Sequence, residues 1–366
     1  MTRSHAAAML AIAVAVMLTG GVMVSATPTT SAASGTVPPA PVTATSEATT
    51  TTARGPLGSG RPVTIAFAGD THFEAGLRSR LAAEGAGMLA PVQALFEGSD
   101  LQILNLETAI TDRGTPQDKE WTFRAPPSAL DALAGIGVDA VSMANNHGLD
   151  FGAEGLQDSL AARDTAPLAV LGIGRNATDA LRPYTTTVNG QRIAVIAATQ
   201  VLDSSLISSW TATDASPGLA SAKDVDRLTA AVAAARALAD TVVVFLHWGV
   251  ERETCPSAAQ EALVLALQAA GADIVVGSHA HRLLGAGMEG ATFVAYGLGN
   301  FGWFNETGAN ADTGALFVTA TGRHIDGYQW HPARIRNGVP TALDGGAADT
   351  ARADWDGLRA CTDLTP

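Results

Sequence analysis

Cysteine is nearly absent. The 366 residues hold two, Cys255 and Cys361, far apart and outside any C-x-x-C spacing. That pattern excludes a thiol-based metal or redox motif. In an exported chain the two would pair as one disulfide tying the C-terminal tail to the body, or else remain two free thiols; spacing alone leaves both open. Positive charge is scarce as well. Lysine and arginine total 22 against 35 aspartates and glutamates, a formal net charge of −13. An acidic surface excludes nucleic acid, or an anionic membrane face, as a partner held by charge. It does not exclude an anionic substrate, because bound metal ions reverse the field locally. Three catalytic signatures are also missing. Gly172-x-Gly174 is too short for a dinucleotide fingerprint, no Walker A string occurs, and Ser278 lies in no G-x-S-x-G elbow.

The one long apolar run is Ala6–Val24, preceded by Arg3 and His5 and followed by the small-x-small site Val24-Ser25-Ala26. This is a secretory signal peptide in outline, and its length also suits an uncleaved N-terminal anchor. No cysteine follows it for lipid attachment. Residues 27–60 are mostly Thr, Ser, Ala, Pro and Gly, with Glu47 and Arg54 the only charges. Such a segment buries too little apolar surface to offset its ordering entropy, which predicts a disordered spacer. The expected organisation is a signal or anchor over 1–26, the spacer over 27–60, one folded domain over 61–340, and a polar tail over 341–366. Trp355 and Cys361 are the tail's expected docking points. The domain is expected outside the cytoplasmic membrane, secreted or held at the cell surface.

Within the body, short apolar strands alternate with helical stretches. Strands are expected at Val63–Ala68, Leu101–Leu104, Ala140–Ala144, Leu168–Leu171, Gln191–Ala198, Thr241–Leu246 and Asp273–Val276. Helices are expected near Ser128–Ala134, Ala153–Arg163, Asp224–Leu238 and Ser257–Ala270. Strands then follow one another at Thr292–Tyr296, Ala315–Ala320 and within 323–336. This order predicts an α/β fold with buried sheets and helices outside.

One regularity in that map points to chemistry. Five of the eight histidines (His72, His147, His247, His279 and His281) fall just past the carboxyl end of an expected strand, as do Asp70, Glu107 and Asn146. In α/β sheets those ends form the binding edge. Imidazole, amide oxygen and carboxylate in one site suit Zn, Mn or Fe better than Mg or Ca. Two divalent ions about 4 Å apart need a bridging carboxylate and several terminal ligands; they activate water and neutralise a developing phosphoryl charge. An imidazole left off the metals serves as general acid.

The motifs Gly69-Asp70, Asn105-Leu106-Glu107, Asn145-Asn146-His147-x-x-Asp150-x-Gly152, His247-Trp248-Gly249-x-Glu251 and His279-x-His281 stand in that order. Phe123-Arg124-Ala125-Pro126 and Leu298-Gly299-Asn300-Phe301 accompany them. Together, over roughly Val63 to Phe317, the chain resembles the CapA-type capsule or poly-γ-glutamate synthesis proteins (PGA_cap). That family looks like a branch of the calcineurin-like metallophosphoesterases. The resemblance implies a four-layer α-β-β-α sandwich of two mixed sheets flanked by helices.

It also implies roles. Asp70, His72, Glu107 and His281 would hold one divalent transition metal ion (Mn, Zn or Fe), and Glu107, Asn146, His247 and His279 the other, with Glu107 bridging. His147 would be the general acid, with Asp70 as its orienting partner. Two departures stand out: the bridge is Glu107 where the broader phosphoesterases usually have Asp, and His72 occupies a place where many CapA-like proteins are apolar. Arg124 is either a clamp for an anionic group or a structural loop residue. Trp248 is either wall or a surface on which substrate stacks. Asp150 and Asn300 read as supporting or turn residues. Three functions follow: a phosphoesterase acting on an anionic polymer or phosphoester, a γ-glutamyl amide hydrolase or transferase, and a non-enzymatic polymer-binding factor of a membrane biosynthetic complex.

Overall fold

The computed structural model describes residues 55–366; the expected signal or anchor and most of the spacer lie outside the described residues. Numbered in chain order, the first strands of the two main sheets are β1 Val63–Thr71, β2 Leu101–Leu106, β3 Ala140–Ser142, β4 Ala169–Leu171, β5 Tyr184–Val188, β6 Gln191–Thr199 and β7 Thr241–His247. They continue with β8 Ile274–Ser278, β9 Ala286–Glu289, β10 Thr292–Ala295, β11 Asn300–Gly302, β12 Asp312–Thr321, β13 His324–Arg336 and β14 Val339–Ala342. The larger helices are α1 Gly76–Glu84, α2 Ser128–Ala134, α3 Gly152–Thr165, α4 Val225–Arg236, α5 Ala258–Ala270 and α6 Gly345–Gly357.

An eight-stranded sheet runs β14-β13-β12-β1-β2-β3-β4, with β11 beside the end of β1. A six-stranded sheet runs β9-β10-β8-β7-β6-β5. Strands β1 to β4 are mutually parallel, and so are β6, β7, β8 and β10. Strands β12, β5 and β9 join antiparallel, so both sheets are mixed.

Side-chain alternation assigns the layers. Ile65 and Phe67 of β1 share a buried cluster with Ile193 and Val195 of β6, Val243 and Phe245 of β7, and Ile274 and Val276 of β8. That cluster lies between the sheets. The alternate residues of β1, Ala66 and Ala68, pack with Leu77, Leu81, Leu130, Leu133, Leu156 and Leu160 from α1, α2 and α3. In the second sheet Val242, Val244 and Leu246 pack with Leu228, Val232, Leu263 and Leu267 from α4 and α5. Strands covered on both faces read as unbroken apolar runs, which is why Thr241–Leu246 shows no alternation. The result is the four-layer α-β-β-α sandwich. Phe67 and Phe245 meet across its middle with ring centroids 6.4 Å apart, and truncating either to alanine would cost about 3–5 kcal/mol.

Local chemistry sets the helix ends. Ser257 and Gln260 form a reciprocal capping box at the start of α5, and Gly271 closes it in the left-handed conformation. Both ends of the expected domain move outward. The last residues of the expected spacer are ordered: Pro56 O accepts from Arg323 N, and Leu57 O accepts from Gln191 Nε2. At the other end β14 runs past residue 340, and α6 follows it. The helix buries only Ala348 and Trp355, so it has too little apolar periodicity to be read from sequence. Trp355 stacks on Trp330 with centroids 5.3 Å apart, and Cys361 is disulfide-bonded to Cys255.

Candidate metal centre

Gly69 decides how the first carboxylate arrives. A Cβ there would lie 1.9 Å from the carbonyl oxygen of Gly299, and Asp70 N–H donates to that same oxygen at 2.9 Å. No side chain fits such an approach. Asp70 is delivered fully buried at the end of β1. Gly277 plays the matching part on β8, where a Cβ would meet Trp248 Nε1 at 2.0 Å. Beyond it the chain turns through His279 and His281 in left-handed backbone, φ 99° and 53°. Each such residue costs about 1–3 kcal/mol and persists only where its surroundings hold it. Arg252 N–H, donating to Ala280 O at 2.8 Å, holds this turn.

The carboxyl ends of β1, β2 and β3 thus meet those of β7 and β8. Asp70 Oδ1 accepts from Asn105 Nδ2 at 2.8 Å and its Oδ2 accepts from His279 N at 3.1 Å. Asn145 Nδ2 donates to Asn105 Oδ1 and to Leu106 O, tying the end of β3 to β2. Two groups of ligand atoms result, each with its members within 4.8 Å of one another: Glu107, His247 and His279, and Asp70, Glu107 and His281. In the first, His247 Nε2 lies 2.7 Å from Asn146 Oδ1, 3.1 Å from His279 Nδ1 and 3.5 Å from Glu107 Oε1. Its other nitrogen is 3.0 Å from Ser278 Oγ. A proton on Nδ1, donated to that hydroxyl, leaves the Nε2 lone pair for a cation. In the second group His281 Nδ1 lies 3.2 Å from Asp70 Oδ2.

The electrostatics separate the residues. Burial pushes the Asp70 carboxyl up, but its pairing with His281 and the charges of His281 and His247 outweigh that and hold it far below the usual range. Burial, reinforced by the Asp70 charge, holds Glu107 well above the usual carboxylate value. Burial lowers His247 to about 3 and takes His279 and His147 well below the ordinary value. His281 alone goes up, to about 9, because the charge of Glu107 and the pairing with Asp70 overcome its burial.

These residues fit divalent cations. Both oxygens of Glu107 are buried without a hydrogen-bond partner. A buried carboxylate in that state is strongly unfavourable unless a positive charge meets it. Nitrogen and oxygen donors in two adjoining groups that share Glu107 suit Zn, Mn or Fe.

The structure corrects several expectations. Asp70 does not orient His147. That imidazole hydrogen-bonds through Nδ1 to Asp150 Oδ2 at 2.5 Å, while its Nε2 lies 3.8 Å from Glu107 Oε1. Asp70's oxygens accept from Asn105 and from His279 N–H, and His281 Nδ1 stands 3.2 Å from Oδ2. His72 is buried beside the cluster but belongs to neither group of mutually close ligand atoms. Its Nδ1 accepts from Glu74 N–H at 2.9 Å, and its ring stacks on Phe123 with Trp303 edge-on at 4.3 Å. A lone pair engaged at Nδ1 puts the neutral ring's proton on Nε2, which is buried without a partner. Trp248 is wholly buried, donates Nε1–H to Tyr296 O and stacks on Tyr296, so no substrate reaches it. Arg124 lies over the Phe151 ring at 4.7 Å and its N–H donates to Glu74.

Asp150, read as a supporting or turn residue, takes the supporting part, and Lys119 has a part in the site that was not singled out. Asp150 stands three residues after His147, a spacing at which the two side chains meet in a turn. Lys119 sits in an excursion between β2 and β3 and leaves no signal in the sequence. Phe123, from the same excursion, stacks on the His147 ring at 4.1 Å.

The family described as bacterial capsule synthesis protein PGA_cap matches residues 64–304 of this chain. The PGA biosynthesis protein CapA of Bacillus subtilis (strain 168) is 30% identical over 256 residues, 67% of this chain and 66% of that protein. The capsule biosynthesis protein CapA of Bacillus anthracis is 36% identical over 193 residues, 51% of this chain and 46% of that protein. The chain therefore spans between about half and two thirds of the length of these relatives. Among solved structures, a 5'-nucleotidase from Candida albicans SC5314 aligns with a TM-score of 0.43 and 9% identity, covering 81% of this chain and 58% of that one.

Proposed function

The chain belongs to the PGA_cap family of bacterial capsule synthesis proteins, and from that membership we propose that it is an exported, metal-dependent phosphoesterase-type protein of capsule or poly-γ-glutamate assembly. The observation that carries the reading is Glu107, a fully buried carboxylate with no partner on either oxygen, set between two groups of nitrogen and oxygen donors. Asp70, Glu107 and His281 would hold one divalent ion, and Glu107, Asn146, His247 and His279 the other. Bound there, two such ions activate water and neutralise phosphoryl charge.

The chain's own residues do the rest. Asn105 and the His279 N–H hold Asp70 by both oxygens, which fixes one wall of the site. Asp150 turns His147 so that Nε2 faces Glu107, and Phe123 covers the ring. Burial keeps His147 neutral in the free protein; an anionic group entering beside it raises its proton affinity, Nε2 takes up a proton from water, and that proton then passes to the departing oxygen. The apolar run over 6–24 and the spacer support export.

The name of the Bacillus subtilis relative, a PGA biosynthesis protein, favours a second reading in which the same site acts on a γ-glutamyl amide. Phosphodiester, phosphomonoester and γ-glutamyl substrates, assayed with manganese on the same purified protein, separate the two. Turnover of a phosphoester that is lost in His147→Ala with metal retained is the expected result. Turnover of none of the three, with capture of a membrane partner, would replace catalysis by a binding role.

A further inference from the structure

Lys119 is one of two lysines in a chain that otherwise uses arginine, and its side chain is only 10% exposed. Its Nζ lies 2.7 Å from Asp150 Oδ1, donates to the main-chain carbonyl of Asn146, and sits 5.0 Å from the centroid of the Trp210 ring. Asp203, half exposed, stands 3.8 Å away on the outer side. One ammonium therefore touches the backbone of a metal-ligand residue and the carboxylate that orients the proton donor.

We propose that Lys119 is a positioning residue that locks Asn146 and the His147–Asp150 pair into one unit. The proposal rests on the reading of Asn146 as a ligand and His147 as a proton donor. Asp150 is completely buried and accepts three donors: His147 Nδ1–H, Phe123 N–H at 2.7 Å and Lys119 Nζ. Lys119 supplies the one full charge among them that does not depend on His147. Without it a proton on Asp150 is favoured, since burial already carries this carboxyl up to about 7 against the opposing lysine charge. A protonated Asp150 holds the imidazole less firmly, and His147 Nε2 loses its fixed aim. The second contact works on the metal side. Held at its carbonyl, Asn146 keeps Oδ1 within 2.7 Å of His247 Nε2. A compact ammonium with three donors can serve both acceptors over an aromatic face, whereas a flat guanidinium fork is shaped for paired acceptors in its plane.

The excursion carrying Lys119 is fastened at the same place. Gln117 N–H donates to Asp150 O and Phe123 N–H to Asp150 Oδ2, so the excursion arches over the 145–150 turn and meets it mainly at Asp150.

The test uses the full chain with Lys119→Met, Asp150→Asn and the double variant. Two quantities are read: the Nδ1–H proton resonance of His147, and manganese(II) affinity by competition with a metal buffer. Lys119→Met is expected to shift or broaden away the His147 signal and to weaken manganese about 10- to 100-fold, the usual range for a residue that orients a ligand. The double variant is expected to leave the His147 signal no worse than Asp150→Asn alone, because both changes act through one carboxylate. A Lys119→Met protein with the wild-type His147 signal and manganese affinity within about twofold of wild type would overturn the proposal. Should that variant not fold, Lys119→Gln, which keeps a hydrogen bond and drops the charge, carries the same expectations and the same refutation. If the wild-type protein takes up no manganese, the metal reading fails, while the His147 signal still decides the part assigned to Lys119.

Discussion

The two halves of the ligand cluster share Glu107 and differ in how their remaining residues are charged. On one side stand His247, His279 and the Asn146 amide. Both imidazoles are pushed down by burial and stay neutral, so their lone pairs are ready for a cation. On the other side Asp70 is held ionised by His281, and His281 is held protonated by Glu107 and Asp70. There a cation has to displace a proton before it can use the imidazole. Similar ligand types therefore make two sites that share the proton held on Glu107, and only the Asp70 side must displace a further proton, from His281. The difference arises from position: His281 Nδ1 lies 3.2 Å from Asp70 Oδ2, whereas His247, 3.5 Å from Glu107 and 3.9 Å from Asp70, is wholly buried and has the Asn146 amide and a second imidazole against it.

The shared carboxylate gives the largest effect. Glu107→Gln should weaken manganese binding on both sides, by about 100-fold or more, while the metal-free protein melts higher toward alkaline pH, where the wild-type carboxyl, held protonated by its burial, has to ionise. Metal analysis and metal-free melting curves check both signs; a loss confined to one equivalent would break the symmetry assigned to Glu107.

Acidity comes next. His247 and His72 are lowered to about 3, so the stability tied to their neutral forms is present above pH 6.5 and is lost as the pH falls from there toward 3. His281, raised to about 9, contributes stability that is full below pH 6.5 and is lost as the pH rises through 9. The metal-free protein should therefore melt highest near pH 6.5 and fall away on both sides. A melting temperature that climbs steadily to pH 9 would remove the charged His281.

Proton displacement gives a third, smaller contrast. Manganese affinity on the Asp70 side should rise with pH more steeply than on the His247 side, by up to about tenfold per pH unit between pH 7 and 9 beyond whatever rise the two share through Glu107. Titration calorimetry in two buffers of different ionisation enthalpy reads the protons released in each step. A total release no greater than the Glu107 proton alone would erase the distinction between the halves. Last, His72→Phe should keep manganese stoichiometry and change affinity within about twofold, since the ring stands beside the ligands with Nδ1 engaged. Loss of one equivalent would return His72 to the coordination set.

Much of this arrangement was legible in the sequence because strand ends are. Asp70, Glu107, Asn146, His247, His279 and His281 each follow an apolar run that could only be a buried strand, and parallel strands carry their carboxyl ends to one edge. The sheets were readable for the same reason. What stayed hidden depends on packing between distant segments. Trp248 follows a histidine at a strand end and reads equally as wall or as a stacking surface, and only the missing side chain at Gly277, which lets it into the core, decides for wall. The tie between Lys119 and Asp150 crosses 31 residues and two loops, and no periodicity records it. Helix α6 was lost because one tryptophan does the work of an apolar face.

The most direct test of the central claim is metal stoichiometry. Wild-type protein saturated with manganese at pH 8 and freed of excess by gel filtration should retain two ions per chain, and at pH 6 the ion on the Asp70 side should be lost first. Retention of none, or of two in Glu107→Gln as in the wild type, would contradict it.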